Sequence, residues 1–168
     1  MGTTPIVKIA GRGWKKVSAV GVLTLSPGVT RRDGNVVRRR VGQHFTLHEG
    51  DIDGERCAAC LRDLLRHVRG QVVLLWDGLA VHRAPAVREV LKKHPRVTVY
   101  RLPGYAPELN PVEPMWAHAK GSGLRGYAPD DITDLEIEVA CTLEDIGDRQ
   151  TLLRSFFKAT PLNVPGVT

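Results

Sequence analysis

The sequence predicts an α/β fold in which a mixed sheet is flanked by helices. Three features lead to this prediction: a β-branched run at residues 17–26 that opens a hairpin, a strand, helix and strand in succession between residues 72 and 102, and two helical segments after Gly126. The chain has 168 residues and 42% of them are hydrophobic, which suffices for one compact core. A single domain is therefore expected.

The first predicted element is a β-hairpin. Residues 17–26, VSAVGVLTLS, are a nearly continuous apolar run, and the turn residues of PGVTRRDGN separate them from VVRRRVG at 36–42. Val36, Val37 and Val41 stand among arginines in this second segment, so we expect an exposed, basic strand. Its arginines either contact phosphates or guard the sheet edge against unwanted pairing, and the sequence leaves both interpretations open.

A helix followed by a strand is predicted next. Asp53 can cap the start of the helix and Gly70 can end it. Apolar residues recur at helical spacing between them, at Cys57, Cys60, Leu61, Leu64, Leu65 and Val68. The segment VVLLW at 72–76 is apolar at every position, which is typical of a parallel strand buried on both faces. Asp77 ends this strand.

The rest of the chain alternates helix and strand before two final helices. Residues 84–95 predict a helix and residues 96–102 a strand, which completes a βαβ unit. A Pro-rich loop, PGYAPELNP, then leads into PVEPMWAHAK, where Glu113 falls close to a helix start. After Gly126 two further helices are predicted, and the last residues, 161–168, are expected to fray.

Asp77 and Glu113 are the candidate residues for a metal-binding site. Functional sites of parallel sheets gather at the carboxyl ends of strands, where Asp77 is expected, and the loop at 102–112 returns the chain to that end. Two close carboxylates need a cation, and oxygen ligands suit Mg²⁺ or Mn²⁺. Two such ions about 4 Å apart promote phosphodiester cleavage. A simpler interpretation without a metal is that Asp77 stabilises a turn and that Glu113 is a glutamate favoured at a helix start.

Charge and cysteine content restrict the class of protein. The formal net charge of +6 favours a polyanionic partner such as DNA or RNA. Three cysteines, with no charged and apolar leader, predict a cytoplasmic protein, and no apolar run approaches the roughly 18 residues that span a bilayer. The C-x-x-C of Cys57 and Cys60 lies inside a helix and predicts core packing. No histidine pair has the H-E-x-x-H spacing of a helical zinc site, so zinc is not expected.

Two strings, LLWDGLAVHRA and LPGYAPELNPVEPMW, resemble the second and third catalytic blocks of the DDE transposases of bacterial insertion sequences related to mariner elements. In that family an Asp ends a strand and a His follows closely. A Pro-rich loop then precedes a Leu-Asn-Pro-aliphatic-Glu sequence, with a Trp three residues after the Glu. In this chain the features fall on Asp77, His82, Asn110, Glu113 and Trp116.

The resemblance implies an RNase H-like fold, Mg²⁺ or Mn²⁺ as cofactor, and cleavage of the donor strand at element ends followed by strand transfer. It implies that Asp77 and Glu113 are the catalytic residues and metal ligands. His82, Asn110 and Trp116 would support this site, or would merely stabilise the loops in which they lie.

The chain departs from the family pattern at two places. The family commonly has Asn after the second Asp, where this chain has Gly78. The family's first Asp is expected upstream of TPIVKI, yet no acidic residue precedes Asp33. Asp33 stands in a predicted turn, and Asp51 and Asp53 stand before a predicted helix. We therefore expect the first central strand of the sheet, and the ligand on it, to be absent from this chain.

This pattern predicts a fragment. Residues 1–126 are expected to be a partial RNase H-like DDE catalytic domain, and residues 127–168 a C-terminal helical extension of the same domain. The implied partners are DNA at element ends and targets, a segment of the transposase encoded upstream, and a second copy of the chain. The alternative is a noncatalytic remnant or regulatory fragment that binds DNA or a full-length transposase.

Overall fold

The computed structural model describes residues 16–28, 39–104 and 106–167. In chain order the elements are β1 Val17–Leu25, β2 Val41–Glu49, α1 Gly54–His67, β3 Val72–Trp76, α2 Pro85–Lys93, β4 Val97–Arg101, α3 Val112–Gly121, α4 Ile132–Asp148 and α5 Gln150–Lys158. Short 3-10 turns at Ala80–Arg83 and Pro107–Leu109 precede α2 and α3. The predicted mixed α/β fold is confirmed.

Strands β1 and β2 form an antiparallel hairpin whose second strand differs from the predicted one. The ladder runs from the pair Val17 and Glu49 to the pair Leu25 and Val41. The strand therefore begins at Val41, and its sequence, VGQHFTLHE, is not basic. Val36 and Val37 lie outside the described residues. Of the predicted basic residues that the structure describes, Arg39 and Arg40 precede the strand, whose apolar residues Phe45 and Leu47 pack against the helices further along the chain.

Arg39 and Arg40 precede β2 and connect it to the carboxyl end of the described chain. The N–H of Arg39 donates to the carbonyl of Gly166 at 3.0 Å, and the guanidinium of Arg154, on α5, donates to the carbonyls of both Arg39 and Gly166. Val167 is buried beside them. The prediction that this end frays was wrong, because these contacts join residues distant in sequence and have no local signature.

Strands β3 and β4 are parallel, and the described residues cover one face of this pair. Their register runs from the pair Val72 and Val97 onward. Helices α1 and α2 pack against that face, where Val72, Leu74 and Val97 are partly buried. On the other face Val73, Leu75 and Tyr100 are 62%, 54% and 57% exposed. The expectation of burial on both faces is thus wrong for the described residues.

Two apolar clusters lie on opposite faces of the hairpin. One joins β1 and β2 to α3, α4 and α5 around Val41, Met115, Leu143 and Leu153. The other joins α1 and α2 to β3 and β4, and Val22 of β1 packs against it. Among the described residues, no backbone hydrogen bond links the β1–β2 pair to the β3–β4 pair. The hairpin therefore has helices on both sides, while β3 and β4 have helices on one.

Helix α1 begins as predicted. The carboxylate of Asp53 accepts a hydrogen bond of 2.8 Å from the N–H of Arg56, which satisfies one of the free donors at the helix start. Cys57 and Cys60 are both buried, so the expected core packing is confirmed, and burial raises the pKa of each thiol. No helix in the described part of the chain combines the length and the apolarity needed to cross a membrane.

Candidate active site

Asp77 lies directly after strand β3, as the sequence predicts. Its Oδ1 accepts a hydrogen bond of 3.0 Å from the backbone N–H of Leu79. The short turn Ala80–Arg83 then brings His82 back toward the strand end, where its Nε2 lies 3.0 Å from the same oxygen. The carboxylate is 43% exposed. Asp77 is thus held through Oδ1, while its other oxygen, Oδ2, can accept a further ligand.

His82 is fixed from two further directions. Its ring stacks on Trp76 with 4.4 Å between centroids and 14° between planes, and its Nδ1 lies 3.7 Å from the sulfur of Cys57. Burial lowers the pKa of His82, which Asp77 opposes by its charge and hydrogen bond, while the charge of Arg101 lowers it further. A neutral ring donates a hydrogen bond from Nε2 to Asp77 and accepts one from the Cys57 thiol at Nδ1.

Glu113 lies in the first turn of α3 and is exposed. Its backbone N–H donates to the carbonyl of Asn110 at 3.0 Å, and the side-chain oxygen of Asn110 accepts from the N–H of Val112 at 3.2 Å. Asn110 therefore satisfies free donors at the helix start. These contacts leave the Glu113 carboxylate itself available, and they support the loop-stabilising interpretation of Asn110.

Trp116 fixes α3 against the hairpin. A Cβ atom built on Gly21, in the middle of β1, would lie 2.6 Å from Cζ2 of Trp116 and 2.9 Å from Cε of Met115. The absence of a side chain at Gly21 is therefore what allows the indole to approach the strand. Trp116 acts in packing one turn after Glu113, and so it determines where the start of α3 lies.

Substitution of Gly21 by Ala is expected to destabilise the protein by about 1–3 kcal/mol, because the added methyl group overpacks this contact. Gly78→Ala is the matched control. A Cβ there meets nothing within 4 Å and the backbone needs no glycine conformation, so a gain of about 0.4–1 kcal/mol is expected. Urea unfolding of both variants measures the difference. Equal stabilities would contradict the close approach of Trp116.

The site residues predicted from the sequence fall into two groups. Asp77 and His82 are in direct contact, whereas Asn110, Glu113 and Trp116 belong to the start of α3. No hydrogen bond or ion pair between residues that the structure describes joins the two groups. Their approach therefore stays a prediction.

The acidic residues considered as a first ligand have other roles or lie elsewhere. Asp51 pairs with the ammonium group of Lys16, and Asp53 caps α1. Asp33 lies outside the described residues. Neither Asp51 nor Asp53 ends a strand that neighbours β3 in the described sheet pairs.

A third group of possible ligands is not predicted from the sequence. His44 of β2 meets Asp63 and His67 of α1, with one ligand atom from each side chain within 4.8 Å of the others. The spacing of Asp63 and His67, four residues apart on one helix face, is a local signal that could indicate half of it. The contribution of His44 depends on how β2 packs on α1, which the sequence does not reveal.

Comparison with protein families gives one match. The family described as DDE superfamily endonuclease matches residues 35–136, which is more than half of the chain and includes both Asp77 and Glu113. The comparison with curated proteins found no match.

Three solved structures of similar fold are structures of Mos1 transposase. A structure of the Mos1 transposase catalytic domain with raltegravir and Mg is 16% identical, with a TM-score of 0.54, over 84% of this chain and 75% of that one. The catalytic domain of Mos1 mariner transposase is also 16% identical, with a TM-score of 0.55, over 84% and 74%. The Mos1 mariner paired end complex with Mn is 14% identical, with a TM-score of 0.54, over 85% and 50%. At these identities the likeness establishes a shared fold.

Proposed function

The chain belongs to the DDE superfamily endonucleases, and from this we propose that it is the catalytic part of a DNA transposase. Its reaction is the metal-dependent cleavage of DNA at the ends of an insertion sequence, followed by transfer of the cut strand. One observation carries the proposal: within the matched region, an aspartate at the carboxyl end of a parallel strand is held by a histidine through one oxygen only.

The donor set fits the proposed cofactor, Mg²⁺ or Mn²⁺. Asp77 has Oδ2 available and Glu113 is exposed, and carboxylate oxygens are the ligands that these hard cations prefer. Asp77 and Glu113 are therefore the proposed ligands. When bound, such ions lower the pKa of a nucleophilic water and stabilise the leaving oxygen. Mg and Mn accompany two of the similar Mos1 structures.

The residues around Asp77 have positioning roles in this proposal. His82 holds Oδ1 in place, and the Cys57 thiol fixes the ring orientation through Nδ1. Arg101 at the end of β4 is exposed and adds positive charge beside His82. A cation at this position can pair with a DNA phosphate and compensates the charge that the substrate brings to the carboxylates.

The proposed partners are the DNA of element ends and targets, together with a second copy of the chain. A segment encoded upstream is proposed to supply the first acidic ligand, because Asp51 and Asp53 have other roles and neither ends a strand beside β3 in the described sheet pairs. The absence of backbone hydrogen bonds between the two described strand pairs is consistent with an added central strand. We place the complex in the cytoplasm.

The C-terminal helices are proposed to belong to the same domain as residues 1–126. Leu143 of α4 and Leu153 of α5 share an apolar cluster with Val41 of β2 and Met115 of α3. Gln150 at the start of α5 also hydrogen-bonds to both backbone groups of Val41, in place of a neighbouring strand. Residues 127–168 thus complete the core beneath the hairpin.

A cleavage assay tests the proposal. The chain is incubated with DNA carrying the element end and with Mg²⁺ or Mn²⁺, alone and together with any polypeptide encoded directly upstream. Metal-dependent nicking that chelation abolishes is the expected result. DNA binding without nicking in every combination would instead support a noncatalytic fragment.

His82→Ala is expected to reduce the cleavage rate by about 10–100-fold, because Asp77 loses the group that orients its carboxylate. The metal concentration giving half-maximal rate should rise in parallel. His48→Ala, which removes a half-buried histidine bonded to Thr46, serves as the control and should retain both values. An unchanged metal requirement in His82→Ala would contradict the positioning role.

A further inference from the structure

A cluster of two histidines and one aspartate lies on the side of α1 that faces β2. His44 projects from β2, and Asp63 and His67 stand four residues apart on α1. The Nε2 atom of His44 lies 3.4 Å from Oδ2 of Asp63, and the His44 and His67 rings are 5.8 Å apart. We propose that these three side chains form a second metal site, for a transition-metal ion of the zinc type, which joins β2 to α1.

The distances suit a tetrahedral ion after small movements. Ligand atoms arranged tetrahedrally at about 2.0–2.1 Å from zinc lie roughly 3.4 Å from one another. His44 and Asp63 already have this separation, and all three ligand atoms lie within 4.8 Å. Asp63 is partly exposed and His67 exposed, so their side chains can rotate to close the remaining distance. A water molecule completes a site of three protein ligands.

The hydrogen bonds of the cluster favour metal binding. The Nδ1 atom of His67 lies 2.9 Å from the backbone carbonyl of Asp63 and donates to it, which leaves the lone pair of Nε2 available. Metal-bound histidines are commonly oriented in this way through their other nitrogen. The Nε2 atom of His44 is buried and has no hydrogen-bond partner of good geometry among the described residues. A metal ion would satisfy it.

Within the described part of the chain, no strong ion pair competes with a cation for Asp63. Arg66 contacts Oδ1 of Asp63 at 3.4 Å, but the arginine side chain is 74% exposed and the contact is that of a weak surface ion pair. Oδ2 of Asp63 faces His44 instead. Binding of a metal therefore replaces no strong interaction.

This site differs from the one at Asp77 in chemistry and position. Two imidazoles and one carboxylate suit zinc, cobalt, nickel or copper, whereas carboxylates alone suit Mg²⁺ and Mn²⁺. Cys57, which contacts His82 beside Asp77, lies six residues before Asp63 on α1, or about 9 Å along the helix axis. The proposed ion therefore acts as a structural link between β2 and α1, remote from the cleavage reaction.

Zinc binding to the purified, metal-stripped chain tests the proposal. Zn²⁺ is expected to raise the melting temperature of the wild type, because an ion that binds only the folded state stabilises it. An excess of Mg²⁺ should not diminish this shift. His67→Ala, which changes an exposed residue, and Asp63→Asn should each weaken zinc binding at least about tenfold in calorimetric titration. Asp77→Asn should bind zinc like the wild type, whether or not the chain cleaves DNA.

His94→Ala is the matched control. His94 also bonds through Nδ1 to the carbonyl four residues before it, at the end of α2, but it belongs to no ligand cluster of the described residues. It should keep full zinc affinity. Co²⁺ bound at the site in place of zinc should absorb visible light. Its spectrum should lack the charge-transfer band that a cysteine thiolate ligand would give. The proposal is overturned if zinc causes no thermal shift, if His67→Ala retains wild-type affinity, or if a thiolate band places the ion on a cysteine.

Discussion

Asp77→Asn and Glu113→Gln are each expected to abolish metal-dependent DNA cleavage. Each substitution keeps the size of the side chain and removes the negative charge that holds a divalent cation. Loss of a metal ligand removes several kcal/mol of transition-state stabilisation, and about 4 kcal/mol corresponds to a rate roughly a thousandfold lower. Single-turnover nicking of element-end DNA, under conditions that support wild-type cleavage, measures the effect. Both variants should still bind DNA, since the arginines are unchanged.

Two matched substitutions separate the ligand role from a general effect of charge. Glu108→Gln changes an exposed glutamate in the turn before α3, and Asp148→Asn changes an exposed aspartate at the end of α4. Both should cleave at the wild-type rate. If Asp77→Asn or Glu113→Gln cleaved as fast as these controls, the assignment of the metal ligands would be refuted.

Leu153→Ala is expected to lower the free energy of unfolding by about 2–5 kcal/mol. Leu153 on α5 has no exposed surface and belongs to the apolar cluster that includes Val41, Met115 and Leu143, so truncation leaves a cavity within that cluster. Small domains have only about 5–15 kcal/mol of stability, so the loss is a large fraction. Urea unfolding followed by circular dichroism and tryptophan fluorescence should show one coincident, shifted transition.

Ile137→Ala is the control for this prediction. Ile137 lies on α4 and is 58% exposed, so removal of a comparable volume should change the free energy of unfolding by less than about 0.5 kcal/mol. Loss of α5 alone in Leu153→Ala, seen as an early transition that leaves the hairpin folded, would show that the C-terminal helices form a separate cooperative unit.

The parts of the site that follow from local sequence were predictable. The apolar run of β3 ends at Asp77 and Gly78, residues that are typical of turns, and prolines around Glu113 favour a helix start. The contact between Asp77 and His82 follows from the short turn between them. Each of these features depends on fewer than ten consecutive residues.

The parts that depend on distant contacts were not predictable. An entirely apolar VVLLW does not reveal which of its faces a helix will cover, and Val73 and Leu75 prove exposed. The sequence after Val41 alternates polar and apolar residues without a strong strand signal, and the packing of Phe45 and Leu47 against α3–α5 identifies it as the strand. His44 meets Asp63 only because β2 lies on α1.

The stacking of Trp76 on His82 gives the protein an intrinsic optical reporter. The indole lies one residue before Asp77 and in face-to-face contact with the imidazole that holds that carboxylate. Its emission will respond to any paramagnetic ion or nucleobase that arrives beside it, while Trp116, wedged against Gly21, emits from a different environment. Because the chain has three tryptophans, the difference between the wild type and Trp76→Phe isolates this signal and reports occupancy beside Asp77 without a label and without turnover.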